Sequence, residues 1–574
     1  MQNKYISALV LASLVFACKS PKPAVSIPPL IPVNAFKYDI QKKQVVDSGA
    51  VVSAHPLASQ VGINILKQGG NAVDAAIATQ LALAVVYPGA GNIGGGGFLL
   101  AHLKGGKTLA IDFREKAPGA ASKDMYLDKD GNADVSKSQN GHLASGVPGS
   151  VAGAFKAHKY AKLPFKVLIQ PAIELAEKGF VITAAEARGL NASQDEFNKY
   201  NTVIPVFVNA MKWKAGDTLI QKDLAKTLTR IRDKGKKGFY EGETAKLIVE
   251  EMSRSNGIIS YGDLKNYEAK EREAVSFDYK GYEIITMPLP SSGGVLLPQM
   301  MKMIADQPIA KYGFLSWQAI QLMTEVERRA YADRAQFLGD VDYFKVPVKT
   351  LISDGYAKAR MKDYEPGKAG TSRNIGPGTI PESEETTHFS VYDREGNAVS
   401  VTTTLNGGYG SHTVVGGAGF LLNNEMDDFS VKPGVANMYG ALGTAANAIA
   451  PGKRMLSSMT PTIVLKNKKP YIVVGTPGGT TITTSVFQSL VNILEFKMSA
   501  EDAVNKPKFH HQWMPDEIYV ESNISKETLD KLTAMGYKIT QRGAIGRTEL
   551  ILISDNGKIE AIADRRGDDD AAGY

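Results

Sequence analysis

The sequence predicts a mixed α/β (α+β) chain whose helices and sheets are arranged in αββα layers. Helical apolar periodicity alternates with Gly/Pro turns over residues 150–345, whereas short runs of alternating apolar and polar residues dominate after residue 386. Between these halves, residues 364–385 are polar and rich in glycine and proline. This composition predicts an exposed, flexible loop that could be cut.

The first half opens with two predicted helices and a strand. Pro56 suits the first position of a helix, and Asn71 can cap a second helix over Ala72–Val86. The second helix is apolar on nearly all sides, which is typical of a buried helix. A glycine cluster, 91–97, leads into strand-like residues 98–103. Because the cluster lacks the Gly-Lys-Ser/Thr ending of a phosphate loop, we interpret it as a site of close backbone packing.

The second half is predicted to be rich in strands. Residues 387–392 and 398–405 alternate with period two and are joined by a short polar turn, which predicts a β-hairpin. A final hairpin is predicted to turn at Asp555-Asn556-Gly557. The other predicted elements are strands at 419–422, 462–465 and 471–474 and helices at 482–493 and 526–535.

The N-terminus has the features of an export signal. Its apolar run, residues 5–17, is shorter than the roughly 20 residues needed to cross a bilayer. Cys18, the single cysteine, ends a sequence that resembles a bacterial lipobox; simple signal-peptidase cleavage and a stray cysteine are the alternatives. We therefore expect a signal peptide over 1–18, a proline-rich tether over 19–45, and export to the periplasm or the outer cell envelope. A lipid on Cys18 would anchor the protein to the membrane.

Composition excludes several classes of function. The 574 residues carry a formal net charge of +7 that is spread along the chain, so no nucleic-acid partner is expected. None of the eight histidines has metal-ligand spacing, and we interpret the adjacent His510 and His511 as structural. No Gly-x-Ser-x-Gly nucleophile elbow is found in the sequence. Because export would leave no thiol for catalysis, a nucleophile would have to be an oxygen.

The junction at Thr386 offers such an oxygen. A threonine hydroxyl is a weak nucleophile unless a base lies beside it, and an N-terminal threonine can use its own α-amine. That amine titrates at about 7.7–8.0 in model peptides. The arrangement needs a strand that starts at the nucleophile and an exposed loop that can be cut before it. The sequence supplies both, although a threonine pair at the start of a strand is also ordinary β-structure.

Several motifs occur in order along the chain after the signal. They are Gly94–Phe98, Asp112–Pro118, Ser145–Gly149, Thr386–Asn397, Leu421–Asp428, Ser457–Pro461, Gly475–Gly479 and Phe509–Trp513. Together they resemble the γ-glutamyltransferases, which are N-terminal-nucleophile hydrolases. The resemblance implies the four-layer αββα fold of that superfamily and a precursor cut between Glu385 and Thr386. The products would be a large subunit, 46–385, and a small catalytic subunit, 386–574.

The resemblance also implies roles for individual residues. Thr386 would be the nucleophile, first in self-cleavage and then toward substrate, with Thr404 hydrogen-bonded to it. Gly478 and Gly479 would form the oxyanion hole. The residues that would hold the γ-glutamyl group are Arg114, Ser457 and Ser458 at its α-carboxylate, Asn406, Glu425 and Asp428 at its α-ammonium, and Tyr439 in a lid loop.

The function implied is that of a γ-glutamyltransferase and glutathione hydrolase. Its substrates would be glutathione and other γ-glutamyl compounds, its acceptors water, amino acids or peptides, and no metal or organic cofactor is implied. Thr444–Ala446 lacks an acidic residue often found in the lid loop, and Asp564–Asp568 departs from the family's usual Asp-Pro-Arg. The alternatives are a related acylase acting on glutaryl or poly-γ-glutamyl substrates, an inactive peptide-binding surface lipoprotein, and a membrane-anchored scaffold. Asp428 argues against glutaryl substrates, because these lack the α-ammonium.

Overall fold

The computed structural model describes residues 29–375 and 386–574, apart from residues 433, 436 and 439–442. The predicted signal peptide, Cys18, Glu385 and Tyr439 lie outside the described residues. In the part of the chain that is described, no helix is both long and apolar enough to cross a membrane.

The strands are numbered in chain order. They are β1 (Lys43–Val46), β2 (Ala50–Ser53), β3 (Gly96–His102), β4 (Thr108–Asp112), β5 (Phe180–Val181), β6 (Thr218–Leu219), β7 (Lys270–Arg272), β8 (Val275–Tyr279), β9 (Tyr282–Thr286), β10 (Thr387–Tyr392), β11 (Ala398–Thr404), β12 (Thr462–Lys466), β13 (Lys469–Gly475), β14 (Phe509–His510), β15 (Ile518–Val520), β16 (Ile539–Gln541), β17 (Glu549–Ile553), β18 (Ile559–Ile562) and β19 (Asp570–Gly573).

The α-helices are numbered in the same way. They are α1 (Pro56–Lys67), α2 (Ala72–Val86), α3 (Ser136–Gln139), α4 (Ser150–Ala157), α5 (Phe165–Lys178), α6 (Ala184–Ala192), α7 (Gln194–Tyr200), α8 (Lys222–Lys234), α9 (Lys237–Tyr240), α10 (Gly242–Ser253), α11 (Tyr261–Lys265), α12 (Gly293–Ala305), α13 (Ile309–Tyr312), α14 (Trp317–Phe337), α15 (Val348–Leu351), α16 (Asp354–Arg360), α17 (Thr481–Leu494), α18 (Ala500–Asn505) and α19 (Lys526–Ala534).

Two seven-stranded sheets form the centre of the molecule. Sheet I has the strand order β19-β2-β10-β11-β3-β4-β7, and sheet II has the order β1-β18-β17-β13-β12-β9-β8. Both sheets contain strands from before and after residue 386. In sheet I, β10 lies between β2 and β11, and β11 pairs in turn with β3.

Alternation along the strands builds the layers. In β3, Phe98 and Leu100 face a core that they share with sheet II, whereas Leu99 and Ala101 join the core beneath α1, α2 and α5. In β12, Ile463 faces sheet I, and Val464 faces the core beneath α12, α14 and α17. Because successive side chains of a strand point to opposite faces, each sheet packs a helical layer on one face and the other sheet on the other. The predicted αββα fold is confirmed.

Several local predictions hold and one is wrong. The helix α2 is buried along its whole length, and Asn71 caps it in a reciprocal pair of hydrogen bonds with Asp74. The strand predicted at 419–422 does not form, and Leu421 makes a single bridge to Val414. Gly419 has a φ of 76°, which a continuing strand cannot accommodate.

Both ends of the described chain are held in the sheets. The strand β1 pairs with β18, so residues 43–45, which were predicted to belong to the tether, are part of sheet II. Lys42 Nζ donates hydrogen bonds of 2.5–2.9 Å to the carbonyls of Asp564, Gly567 and Asp569. Lys42 thus stabilises the loop 564–568, whose sequence departs from the family pattern. Within this loop, Arg566 forms an ion pair with Glu521.

The layer between the sheets also contains a buried histidine. His388 Nε2 lies 3.1 Å from Ser390 Oγ, which itself donates to the Glu549 carbonyl, and His388 Nδ1 lies 2.9 Å from Thr402 Oγ1. Ser390 Oγ therefore accepts from His388 Nε2–H, which fixes a neutral tautomer. Burial lowers the pKa of His388 from 6.5 to about 3.

This histidine makes stability depend on pH. The unfolded chain binds a proton at His388 near pH 6.5, whereas the folded chain does so only near pH 3, so acidification favours unfolding. Relative to a His388→Gln variant, the protein is expected to lose roughly 1.5 kcal/mol of unfolding free energy between pH 6.5 and pH 5. Urea unfolding of both proteins at several pH values checks this expectation. Parallel pH dependences for the two would contradict it.

Candidate active site

One cavity brings together most of the residues that the sequence singled out. Together with the solvent at its mouth, it contains about 310 Å³ of space not filled by atoms. Its lining consists of Arg114, Arg334, Thr386, Thr404, Asn406, Glu425, Asp428, Asn437, Ser457, Ser458, Met459, Gly479, Thr480 and Ile482. Of the predicted site residues in the described chain, only Gly478 is not among them, and it adjoins Gly479.

Thr386 and Thr404 face each other at the end of the β10–β11 hairpin. The pairing of Thr387 with Thr403 sets the register, and its continuation by one residue brings Thr386 opposite Thr404. The two hydroxyl oxygens are 3.5 Å apart, and Thr404 Oγ1 accepts a 2.7 Å hydrogen bond from the Asn406 amide. Thr386 is buried, with 6% of its surface exposed. The hairpin therefore aims the Thr386 hydroxyl into the cavity at a fixed position.

The Gly478-Gly479 turn lies between the end of β13 and the start of α17. Gly478 has a φ of 133° and Gly479 a φ of 53°, which are backbone conformations that favour glycine. A Cβ at residue 478 would also come within 2.4 Å of Thr481 Oγ1. The turn leads into the N-terminus of α17, where the positive end of the helix dipole favours negative charge. The turn can therefore supply N–H donors to a developing oxyanion.

Side chains from α14, from β14 and from the segment after β14 hold this turn in place. The Tyr331 hydroxyl donates to the Thr480 carbonyl, and Thr480 Oγ1 donates to Gln512 Oε1 at 2.6 Å. His510 Nε2 lies 2.9 Å from the same Gln512 oxygen. Burial lowers the pKa of His510 to about 3, so the ring is neutral. His511 contacts Trp513 and Asp516 instead, and the structural interpretation of the two histidines agrees with these contacts.

The lining of the cavity also includes a buried charge cluster around Arg114. Its guanidinium donates to Glu425 and Asp428, lies 3.5 Å from Glu115, and also donates to the Met455 and Leu456 carbonyls. The side chain of Arg114 is fully buried. The cluster thus places three carboxylates around one guanidinium.

These charges shift each other's protonation. Burial opposes the charge of Arg114, but Glu425, Asp428 and Glu115 together raise its pKa above the ordinary value. Burial raises the pKa of Glu425 well above its usual range and that of Glu115 to about 7, with Arg114 opposing both shifts. Burial also raises the pKa of Asp428, against the attraction of Arg114 and Arg334. Since carboxylates outnumber guanidinium groups, the cluster is suited to accept a further cation.

Sequence reasoning missed three polar residues of the cavity lining, which are Arg334, Asn437 and Thr480. Arg334, in the last turn of α14, donates to Ser458 Oγ at 3.1 Å and to Ser292 Oγ at 3.3 Å. Asn437 Nδ2 donates to Asp428 Oδ1 at 2.8 Å, from the described part of the loop 433–447 that is predicted to form the lid. The one signal in the sequence that could have indicated Arg334 was the number of charged residues along α14. The structure shows that many of these are buried.

The described residues contain no group of three or more His, Cys, Asp or Glu side chains that could hold a metal ion.

Comparisons with known proteins agree with the fold and indicate the family. The sequence profile of the family described as Gamma-glutamyltranspeptidase matches residues 58–574. The glutathione hydrolase proenzyme of Escherichia coli strain K12 is 46% identical over 558 residues, which cover 96% of this chain and 96% of that protein.

Two solved structures are also similar to this chain. A cephalosporin acylase from Bacillus halodurans has a TM-score of 0.81 at 25% identity, covering 95% of this chain and 99% of its own. The gamma-glutamyltranspeptidase of Helicobacter pylori has a TM-score of 0.56 at 43% identity, covering 59% of this chain and 97% of its own.

The four-layer fold identifies the chain as an N-terminal-nucleophile hydrolase. Within this class, the acylase is similar chiefly in fold, whereas the profile and the 46% identity extend over nearly the whole sequence. The chain belongs to the gamma-glutamyltranspeptidase family.

Proposed function

We propose that this chain is a γ-glutamyltransferase and glutathione hydrolase whose nucleophile is the Thr386 hydroxyl. Membership of the family supports γ-glutamyl transfer and hydrolysis as its chemistry. The observation that carries the proposal is the composition of the cavity. Its lining combines two parts, which are Thr386 with the Gly478-Gly479 turn, and a guanidinium with an excess of carboxylates.

A γ-glutamyl group matches this division. Its α-carboxylate would take over the fork of Arg114, which suits bidentate binding of a carboxylate. Glu425 and Asp428, which pair with Arg114 in the structure, would then turn to the α-ammonium. The exchange keeps every buried charge paired, as burial requires. The γ-carbonyl would be left facing Thr386.

The same hydroxyl would first cut the precursor. Thr386 Oγ would attack the carbonyl carbon of Glu385, so that an ester forms and the peptide C–N bond breaks to release the Thr386 α-amine. Water would then hydrolyse the ester, which leaves large and small subunits from one chain, 46–385 and 386–574. The freed α-amine would afterwards accept the proton of the hydroxyl during attack on substrate.

Turnover would proceed through a γ-glutamyl ester of Thr386. Attack on the γ-carbonyl would give a tetrahedral oxyanion, to which the amides of Gly478 and Gly479 would donate. Collapse of this intermediate would expel the amine of the leaving peptide with a proton from the α-amine. Water would then release glutamate, whereas the amine of an amino acid or peptide would form a new γ-glutamyl amide.

We also propose that the protein is exported to the periplasm or the outer envelope. The support is the apolar run before Cys18 and the proline-rich segment after it. Lipidation of Cys18 would anchor the protein to the membrane. Fractionation of cells that express the wild type or Cys18→Ser tests both ideas. Recovery in the cytoplasm would refute export, and an unchanged distribution between envelope and soluble fractions would refute the anchor.

The test of the activity uses two donors that differ in one group. Purified protein should release glutamate from glutathione and should prefer γ-glutamyl-p-nitroanilide over glutaryl-p-nitroanilide by at least ~10² in kcat/KM. The reason is that glutaryl would leave buried carboxylates without the ammonium. Preference for the glutaryl donor would identify an acylase instead. No turnover of any donor would favour a peptide-binding protein.

A further inference from the structure

Ser458 lines the cavity, and its hydroxyl contacts a second arginine, Arg334. Arg334 Nη2 is 3.1 Å from Ser458 Oγ, and Arg334 Nε is 3.3 Å from Ser292 Oγ. Arg334 and Ser458 both line the cavity that contains Arg114, and both are buried. The cavity therefore holds two guanidinium groups, and the proposed chemistry uses only one of them.

The direction of these hydrogen bonds follows from the groups involved. A guanidinium has only donors, so Ser458 Oγ must accept from Arg334. The hydroxyl's single hydrogen then remains to be donated, and no acceptor for it is found among the described residues. Ser457 Oγ is set in the same way, because it accepts a 3.2 Å hydrogen bond from the Met459 amide. Both hydroxyls are thus prepared to donate to an anion.

A loop before α12 holds this serine pair in place. Ser457 N donates to the Pro290 carbonyl at 2.8 Å, and Ser292 N donates to the Ser457 carbonyl at 2.7 Å. A Cβ at Gly293 would come within 2.4 Å of Thr460 Oγ1, so only glycine allows the loop to approach so closely. The loop also presents Ser292 Oγ to Arg334, and one set of contacts therefore orients both the arginine and its serine partner.

We propose that Arg334 is a specificity-determining positioning residue for the α-carboxylate of the donor. It holds Ser458 as a hydrogen-bond donor toward that carboxylate and adds a second positive charge at the same end of the cavity. The inference rests on the proposed γ-glutamyl chemistry and extends it by one residue. A donor with an α-carboxylate gains from Arg334, and an analogue without that negative charge does not.

The test compares Arg334→Lys and Arg334→Met with the wild type. For γ-glutamyl-p-nitroanilide, KM is expected to rise about 10-fold in the lysine variant and about 100-fold in the methionine variant, with a smaller change in kcat. Inhibition constants are measured for glutamate and for isoglutamine, whose α-carboxylate is replaced by a neutral amide. The preference for glutamate should fall by the same factors, since binding of isoglutamine does not use the charge. Thermal unfolding and subunit formation report whether each variant folds.

A matched control and a double variant separate positioning from general structure. Arg329 is buried on the same helix but pairs with Glu325 and Asp363, so Arg329→Lys should leave KM and the glutamate preference unchanged.

The effects of Ser458→Ala and Arg334→Lys on KM should combine less than additively in the double variant, because each substitution removes the same contact. Equal losses for glutamate and isoglutamine, or additive effects, would overturn the assignment. An inactive wild type would instead refute the proposed function, whereas an active wild type matched by its Arg334 variants refutes only the role of Arg334.

Discussion

Replacement of Thr386 by alanine is expected to leave one uncut chain and to lower the release of glutamate by at least ~10⁴-fold. Removal of a catalytic nucleophile from other hydrolases costs about 10⁶-fold in kcat. The variant lacks the oxygen that forms both proposed esters, so it should lose self-cleavage and turnover together. Intact-mass spectrometry of the purified protein measures the first loss, and a glutathione hydrolysis assay measures the second. Thr386→Ser should retain both reactions.

The neighbouring threonine provides a matched control. Thr387 Oγ1 is buried in β10 and has no hydrogen-bond partner among the residues that the structure describes. A Thr387→Val variant removes that hydroxyl and nearly preserves the shape of the side chain. It should be cut and should turn over glutathione like the wild type. A wild-type protein that stays in one piece, or a Thr386→Ala chain that is still cut before residue 386, would contradict the assignment.

Replacement of Arg114 is expected to produce the second large effect. Loss of one partner from a buried, hydrogen-bonded charge pair costs 2–5 kcal/mol, so Arg114→Met should lower kcat/KM by roughly 10²–10³. In addition, the substitution would remove the guanidinium that now pairs with Glu425, Asp428 and Glu115. They should respond by taking up protons, because burial already raises the pKa of each. The binding of the donor should therefore fail at both its carboxylate and its ammonium.

Steady-state kinetics with γ-glutamyl-p-nitroanilide measures this effect, and Arg454→Lys controls for loss of a buried arginine. Arg454 is as buried as Arg114, but it donates to the Glu268 carbonyl and lies 3.3 Å from Asp112, outside the cavity lining. Arg114→Lys should lose most of the activity because an ammonium cannot reproduce the bidentate fork. If Arg114→Lys and Arg454→Lys had equal kinetics, the proposed carboxylate site would be wrong.

The sequence alone was sufficient for features that depend on local pattern. The apolar run of α2 predicted a buried helix, and alternation around the turn at 393–397 predicted the β10–β11 hairpin. Strand register then explains why Thr386 meets Thr404. The prediction of a strand at 419–422 was wrong because it relied on the apolar residues and gave too little weight to the glycines. The backbone conformation of these glycines bends the chain.

The charge cluster could not be predicted from pattern. In the sequence, Arg114 and Asp428 are each compatible with a surface position, and only resemblance to a family brought them together. Arg334 escaped even that comparison, because it lies outside the motifs that carry the resemblance, and its partner Ser458 is 124 residues away. Long-range contacts of this kind depend on how the layers stack, which no local periodicity encodes.

The position of β10 within sheet I has a consequence for how the protein can be assembled. β10 pairs with β2 on one side, and β11, its partner on the other side, pairs with β3. After a cut before residue 386, each fragment would hold only alternate parts of the same sheet, so neither could complete a hydrophobic core alone. Unfolding would then separate two molecules whose reunion requires a bimolecular encounter, and recovery would depend on protein concentration. At low protein concentration, where the two fragments seldom meet again, the lifetime of the folded state would be set by the rate of unfolding.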